Sequence, residues 1–335
     1  MLHLKVTIFV YFNIPPSIAR LVHSNHDVDV RIAAQLMMTT IENLHAMMEY
    51  EIAHSYCRDY LSDDACNMDD RANFNTHHIK LTAEDRAQIV GWCYGVVDVL
   101  QLSRVNVAVA MSLADRFMSI HPNRQQPFSS STSSTSSSSG GGVIPRIFRP
   151  QEIMYDRTMF QLLAVSALYI AIKINKKAIY SSEMFAEATH GMYTREEIEA
   201  MERAILECLS WRITTPTALE IGYTILELIT HQVRVVSGVN NVRWPEVSIR
   251  EDVASQIEEV VRDYQLAIQR TSIIATAALS NAIEMQDTIS NIEKEHYLNA
   301  LSNVLEQCKQ ETLRSEKKHL LNAMLSVLED CERCV

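Results

Sequence analysis

One pattern of small and apolar residues occurs twice in this chain, at 164–172 and again at 275–283. Alanines spaced by three and four residues share one face of a helix and let neighbouring helices approach closely. The repeat therefore predicts the same central helix in two tandem helical bundles. The matching residues are Ala164, Ala167, Leu168, Ala171 and Ile172 in the first copy, and Ala275, Ala278, Leu279, Ala282 and Ile283 in the second.

The scarcity of glycine and proline also favours helices. The chain has only 8 Gly and 8 Pro in 335 residues, whereas sandwiches, Rossmann folds and P-loop enzymes need glycine-rich turns and loops. Because 47% of the residues are apolar, the chain can bury a full core, and its length is typical of two domains. We therefore predict an all-α protein.

Helix signals occur along the whole chain. An apolar stripe predicts a helix from Arg31 to about Leu61, and a second helix is expected from about Arg104 to Met118. The segment Phe160–Ile174 is apolar on nearly all sides, as the central helix of a bundle should be. Pro216 is expected at the first position of a later helix, where its missing N–H has no cost.

Two pairs of residues have the spacing of capping boxes. Thr82 is followed three residues later by Asp85, and Thr194 by Glu197. In a capping box the two side chains satisfy free N–H groups at the start of a helix. These pairs predict where two helices begin.

The predicted organisation has four parts. Residues 1–30 are expected to be a poorly ordered tail, and 31–78 to hold the N-terminal helix and the acidic loop Asp63–Asp70. The first bundle is assigned to 79–214, and a second, divergent bundle to 215–335. Within the first bundle, the Ser/Gly tract at 129–142 predicts a flexible loop because it has too little apolar surface to offset the entropy of ordering.

The apolar run near Met1 is too short to span a bilayer, and a signal peptide is the alternative for it.

The charge and the cysteines bear on partners and cofactors. The formal net charge of −11 favours a protein partner over nucleic acid or a membrane surface. The seven cysteines are scattered, which predicts reduced thiols in the nucleus and cytoplasm. Only Cys331 and Cys334 have metal-like spacing, and a zinc or iron site needs more ligands than this pair. We therefore expect no metal and no cofactor.

Lys173 ends the apolar segment Phe160–Ile174, where its ammonium must reach solvent or meet a carboxylate. Glu202 lies at the edge of the next apolar stripe and is the predicted partner. Two roles are open for this pair. It is either a polar pair that faces a partner, ringed by Ile174, Leu206 and Trp211, or a helix-to-helix ion pair worth about 0–1 kcal/mol with no partner.

Arg86 and Asp115 are expected to form a second ion pair. Arg86 directly follows the first cap, and Asp115 lies near the end of its predicted helix. Both residues flank strongly apolar positions. We therefore assign this pair to structure, inside the bundle.

Several short motifs follow one another in a fixed order between about Leu81 and Thr217. They are Arg86-Ala87 with Ile89 and Trp92, then Asp115-Arg116-Phe117-Met118, then Gln161-Leu162-Leu163 with Ala171-Ile172-Lys173, then Tyr193-Thr194 and Met201-Glu202. This order resembles the cyclin box, and a weaker similarity continues over the second bundle at 272–279. Five positions that mark the family are matched by Arg86, Asp115, Leu162, Lys173 and Glu202.

The resemblance implies two tandem five-helix cyclin-like bundles that bind and activate a cyclin-dependent protein kinase, with no catalytic residues of their own. In that family the residues that match Lys173 and Glu202 contact the kinase near its αC helix and activation segment. Those that match Ile174, Leu206 and Trp211 supply apolar contacts. The additional N-terminal helix would be the family's N-terminal helix, which packs across both partners.

Many cyclins dock substrate or inhibitor peptides in a groove beside their first bundle helix. This chain is similar to them at Ile89, Trp92 and Gln161, but Asp85 and Gln88 stand where those cyclins have Met and Ile. A carboxylate and an amide thus replace part of the apolar floor. This departure predicts weak docking of Arg-x-Leu peptides.

Three other functions are alternatives. An all-helical isoprenoid synthase would use aspartates such as Asp63–Asp64 and Asp69–Asp70 to hold magnesium, but their spacing is wrong for one helix face. A transcription-associated protein with cyclin folds on DNA needs basic stripes, whereas the second bundle is rich in Asp and Glu. A cyclin-fold scaffold that binds a kinase without activating it is the third.

Overall fold

The computed structural model describes residues 27–54, 57–62, 80–120, 148–175, 180–237 and 245–309. These residues form helices and irregular segments, and no β-strand occurs among them. The acidic loop Asp63–Asp70, the Ser/Gly tract at 129–142, the apolar run near Met1, and Cys331 with Cys334 lie outside these ranges. The all-α prediction is confirmed for the described part of the chain.

The described residues form helices along most of their length. In chain order they are α1 (Asp27–His54), α2 (Ala83–Val99), α3 (Val105–Met118), α4 (Pro150–Ile153), α5 (Arg157–Ile174), α6 (Ser182–Ala188), α7 (Arg195–Cys208), α8 (Ala218–Ser237), α9 (Glu246–Arg262), α10 (Tyr264–Ala267), α11 (Thr271–Glu284) and α12 (291–309).

The chain divides into two compact units. In the described part, one unit comprises residues of Ala53–Thr217 and Ser255–Ile274, and the other comprises 27–52, Ala218–Ala254 and 275–309. The units are therefore not the two consecutive stretches, 79–214 and 215–335, that the sequence suggested. Residues 255–274 belong with the first bundle because they supply contacts to its buried polar centre, described below.

Helix α5 is the centre of the first bundle, and it packs against α3, α7 and α2. The Asp156 side chain caps it by accepting hydrogen bonds from the backbone N–H groups of Thr158 and Met159. Every residue from Leu162 to Ile172 is buried. By length and hydropathy alone α5 could cross a bilayer, but 67% of it is buried inside the protein. Its apolar character is thus explained by its place in the core.

Both predicted capping boxes are confirmed. The backbone N–H of Asp85 donates to Thr82 Oγ1 at 3.1 Å, and the N–H of Thr82 donates to Asp85 Oδ2 at 2.9 Å. The N–H of Glu197 donates to Thr194 Oγ1 at 3.2 Å, and the N–H of Thr194 donates to Glu197 Oε2 at 2.9 Å. These contacts fix the first turns of α2 and α7.

The repeated alanine pattern lies on buried faces in both copies. All five residues of the pattern in α5 and all five in α11 are buried. In the second unit, a Cβ added to Gly222 of α8 would lie 3.5 Å from Val253 Cγ1 and 3.8 Å from Ala275 Cβ. Small residues therefore allow α8, α9 and α11 to approach closely, as the repeat predicts.

Two predicted helix boundaries are wrong. Helix α1 ends at His54 rather than near Leu61, and 57–62 are irregular because tertiary hydrogen bonds hold them. The backbone N–H of Arg58 donates to Ser119 Oγ, for example, and Tyr60 is fully buried. Helix α8 begins at Ala218, so Pro216 precedes the helix instead of occupying its first position.

The first bundle is built around a buried ion pair between α2 and α3. Arg86 Nε donates to Asp115 Oδ1 at 3.0 Å, and Arg86 Nη2 donates to Asp115 Oδ2 at 2.7 Å. The hydroxyl of Tyr60 donates to the same carboxylate at 2.8 Å. Burial opposes the charged guanidinium, but the carboxylate outweighs burial and raises the pKa of Arg86 above its ordinary value. The guanidinium therefore keeps its charge inside the core.

The same arginine also binds the end of another helix. Arg86 Nη1 donates to the carbonyl of Val261 at 2.7 Å, in the last turn of α9, where backbone carbonyls lack partners within the helix. Next to it, the Tyr264 ring meets Tyr60 edge-on with centroids 5.1 Å apart. Tyr264 Oη also donates to Asp59 Oδ1 and accepts from the N–H of Leu61. One polar cluster thus fixes α2, α3, 57–62 and 261–264.

Arg86→Met is expected to destabilise the protein by about 3–5 kcal/mol, because it leaves the Asp115 carboxylate buried without its cation. Equilibrium urea unfolding followed by circular dichroism measures the change. Arg86→Met/Asp115→Leu should cost less than the sum of the two single substitutions, since no charge is then left unpaired.

The matched control is Arg149→Met. Arg149 lies 4.0 Å from Glu152 in an ion pair whose side chains are both largely exposed. This substitution should change the free energy of unfolding by no more than about 1 kcal/mol. An Arg86→Met protein as stable as the control would contradict the structural role of the buried pair.

Candidate functional site

Lys173 and Glu202 lie side by side on the surface of the first bundle. Lys173 stands in the last turn of α5, and its Nζ donates to Glu202 Oε1 of α7 at 2.6 Å. The Lys173 side chain is 48% exposed and that of Glu202 is 14% exposed. The carboxylate is therefore held by the protein, whereas the ammonium remains open to solvent.

The sequence of α7 explains why Glu202 lies at this edge. Ile198, Met201 and Ile205 are buried against the bundle, so their face of the helix is fixed. Glu202 follows Met201 directly and lies at the border of that face. The capping box at Thr194 fixes the start of the helix and hence the register of the residues that follow.

The aromatic ring of Tyr169 lies beside the Lys173 ammonium. Lys173 Nζ lies 4.6 Å from the centroid of the Tyr169 ring, one turn earlier in α5. Partial burial lowers the pKa of Lys173, but the hydrogen bond and the charge of Glu202 outweigh it, so this pKa is raised above its ordinary value. The negative face of the ring favours the same charged form. Glu202 and Tyr169 thus favour the charged form of Lys173 and restrict the position of its ammonium.

The three apolar residues predicted to surround the pair follow its members along the chain. Ile174 and Leu206 are half-buried and pack against the core, and Trp211 is 67% exposed. Trp211 has a left-handed backbone conformation with φ +61°, and its N–H donates to the carbonyl of Leu206 at 2.8 Å, just beyond the end of α7. The backbone turn therefore holds a large indole at the surface.

Ile89, Trp92 and Gln161 are the residues that the sequence predicts for a peptide groove. Ile89 and Trp92 are half-buried against the core. Gln161 Oε1 accepts a hydrogen bond from the Tyr193 hydroxyl at 3.2 Å. The two residues that depart from the family pattern have local roles. Asp85 caps α2 and lies 3.0 Å from Arg157 Nε, and Gln88 Nε2 donates to Glu84 Oε1 at 3.4 Å. Asp85 thus places an engaged carboxylate in the first turn of α2.

The sequence reasoning missed two members of the site, Tyr169 and Glu199. Glu199 adds to the negative potential around Lys173, and it is held by hydrogen bonds from Ser182 Oγ and Arg195 Nε, each 2.8 Å long. A signal for Tyr169 was present, because residues four apart on a helix are neighbours. Arg86 and Asp115, by contrast, are buried and have no surface on which to meet a partner.

No group of three or more His, Cys, Asp or Glu residues that could hold a metal ion occurs within the described ranges. The only chemistry assembled at Lys173 and Glu202 is hydrogen bonding, charge and apolar contact. Such a surface is suited to recognition of another macromolecule.

Comparisons with known proteins find similarity to cyclins over part of the chain. Residues 143–214 match the family model described as "Cyclin, N-terminal domain", and this stretch contains Lys173, Glu202 and the apolar residues around them. Cyclin-A3-2 of Oryza sativa subsp. japonica is 29% identical over 139 residues, 42% of this chain and 28% of that protein. G1/S-specific cyclin-E1 of Rattus norvegicus is 26% identical over 145 residues, 43% of this chain and 28% of that protein.

A solved structure of a viral cyclin from herpesvirus saimiri also matches, with a TM-score of 0.45 and 14% sequence identity, over 69% of this chain and 87% of that one. The chain spans less than a third of the length of the rice and rat relatives. The fold of the described residues is all-α. Residues 143–214 are thus similar to the N-terminal domain of cyclins.

Glu202→Gln is expected to lower the pKa of Lys173, because it removes the carboxylate and leaves the opposing effect of burial. The measurement is an NMR titration of the Lys173 side chain in selectively labelled protein. Glu196→Gln is the control, since Glu196 is exposed in the first turn of the same helix. An unchanged Lys173 titration in Glu202→Gln would show that the ion pair does not form in solution.

Proposed function

We propose that this protein is a regulatory subunit that binds and activates a cyclin-dependent serine/threonine protein kinase in cell-cycle control. The similarity of residues 143–214 to the N-terminal domain of cyclins supports a cyclin-type regulatory role. The names of its relatives refer to phases of the cell cycle, as in G1/S-specific cyclin-E1 of Rattus norvegicus and G2/mitotic-specific cyclin-B2 of Oryzias latipes. The chain would act through its surface rather than through catalytic residues of its own.

The observation that carries the proposal is the Lys173–Glu202 pair with its apolar border. Ile174, Leu206 and Trp211 offer apolar surface to bury, and desolvated aromatic and apolar anchors supply most of the affinity in protein interfaces. The ammonium and the carboxylate can hydrogen-bond to backbone groups of a partner and so fix its register. The site would therefore offer a partner a small apolar contact area with one ion pair at its centre.

The proposed mechanism is a shift of a conformational equilibrium. A protein kinase is active when its β3 lysine pairs with the glutamate of helix αC and its metal-binding aspartate is in place. A rigid surface that binds the inward position of αC more tightly than the outward position shifts the population toward the active state. The first bundle is suited to this role because Lys173 and Glu202 stand on helices fixed by a continuous core.

Lys173→Ala/Glu202→Ala is expected to weaken kinase binding by about tenfold to a hundredfold while leaving the protein folded, since both residues lie at the surface. The binding affinity is measured by biolayer interferometry against a panel of purified cyclin-dependent kinases. Activation is measured as the phosphorylation of a peptide by each kinase with and without the chain.

The matched control is Arg250→Ala/Glu246→Ala. This pair also joins two residues of a helix surface, at 2.9 Å, and its cation also lies over a tyrosine ring, that of Tyr223 at 4.5 Å. It lies in the other unit and should leave kinase affinity unchanged. Wild-type binding and activation by the folded Lys173→Ala/Glu202→Ala protein would refute the proposed site. Binding by the wild-type chain without activation would replace the proposal with the scaffold function.

A further inference from the structure

We propose that Tyr169 is a positioning residue that presets the Lys173 ammonium for partner binding, so that this tyrosine contributes to affinity through the lysine. The inference rests on the proposed kinase-binding function. It concerns a residue that lies beneath the surface pair, since Tyr169 is only 8% exposed. Its effect on a partner must therefore pass through Lys173.

The geometry on α5 brings the two side chains together. Lysine side chains on a helix lean toward its N-terminus, over the turn that precedes them. Tyr169 occupies that turn four residues before Lys173, and the Nζ lies 4.6 Å from its ring centroid. The ammonium therefore lies over the ring at the position where it also reaches Glu202.

The ring itself is held in place by a neighbouring helix. Phe185 of α6 lies against Tyr169 with ring centroids 5.2 Å apart and planes inclined at 56°. Phe185 is 1% exposed, so it belongs to the core. Phe185 therefore restricts the orientation of the Tyr169 ring, and this ring in turn restricts the Lys173 side chain.

The consequence is a pre-oriented ammonium with donors left for a partner. An ammonium has three N–H donors, and Glu202 receives one of them at 2.6 Å. The ring face attracts the charge without a conventional acceptor atom. Because a free lysine side chain loses much rotamer freedom when an interface immobilises it, a lysine already restricted by Tyr169 and Glu202 loses less on binding.

Tyr169→Leu is expected to weaken kinase binding by about two- to tenfold, because it keeps an apolar side chain in the core but removes the ring beneath the ammonium. Tyr169→Phe keeps the ring and should restore wild-type affinity. In a Lys173→Met background, Tyr169→Leu should have no further effect on affinity, since the group that the ring positions is absent.

An NMR readout tests the positioning without any kinase. The ring current of Tyr169 should shift the Lys173 Hε resonances upfield in the wild type and in Tyr169→Phe, and this shift should be lost in Tyr169→Leu. A purely structural role would not produce this pattern of loss and rescue. The matched control is Tyr223→Leu, which removes the ring under Arg250 in the other unit and should change neither the Lys173 resonances nor kinase affinity.

Two outcomes would overturn the inference. One is wild-type kinase affinity in Tyr169→Leu, and the other is an equal loss of affinity from Tyr169→Leu when Lys173 is already Met. Either result would leave the proposed function standing if the wild-type chain binds and activates the kinase. Failure of the wild-type chain to bind any kinase of the panel would instead refute the proposed function, while the Hε shift would still report whether Tyr169 orients Lys173.

Discussion

The first bundle depends on the charge of Arg86. A guanidinium buried beside α3 is tolerable only because Asp115 meets it with both carboxylate oxygens and Val261 offers a backbone carbonyl to its remaining terminal nitrogen. These acceptors lie on separate segments of the chain, so satisfying one side chain brings α2, α3 and the end of α9 to one point. A hydrophobic residue at 86 could fill the same volume but could not select those partners. Directional hydrogen bonds therefore specify an arrangement that apolar contact alone would leave less defined.

The positions of Lys173 and Glu202 are fixed by the packing of the first bundle. The core around α5 is continuous with the packing of α2, α3 and α7, so the last turn of α5 and the middle of α7 keep a fixed separation. Lys173 and Glu202 each extend from such an element. The carboxylate is mostly shielded and the ammonium is half exposed, which means that the partner-accessible charge is positive although the chain as a whole carries −11. A recognition site of this kind is local and is not visible in the net charge.

Features that depend on a few consecutive residues could be predicted from the sequence. Both capping boxes follow from the spacing of a threonine and an acidic residue, and the burial of the alanine repeats follows from helical periodicity. The end of α1 could not be predicted, because the apolar spacing continues to Leu61 while the hydrogen bonds that make 57–62 irregular come from Ser119 and Tyr264, far along the chain. The grouping of 255–274 with the first bundle was missed for the same reason. Tyr169 was missed because periodicity places it in the core face and says nothing of the lysine ammonium that lies over its ring.

A comparison of the buried Arg86–Asp115 pair with the surface Lys173–Glu202 pair shows why the surface pair needs an explanation other than stability. Breaking the buried Arg86–Asp115 pair leaves a charge in the core, and the cost of such a charge is large enough to account for both residues. Lys173 is half exposed, and ion pairs with an exposed partner contribute only about 0–1 kcal/mol to folding. A lysine restricted by a carboxylate and a clamped aromatic ring loses rotamer entropy that the folded chain does not recover from so weak a pair. When a partner binds, the Lys173 side chain is already ordered, so binding loses less rotamer entropy. The arrangement around Lys173 is therefore better suited to recognition than to folding.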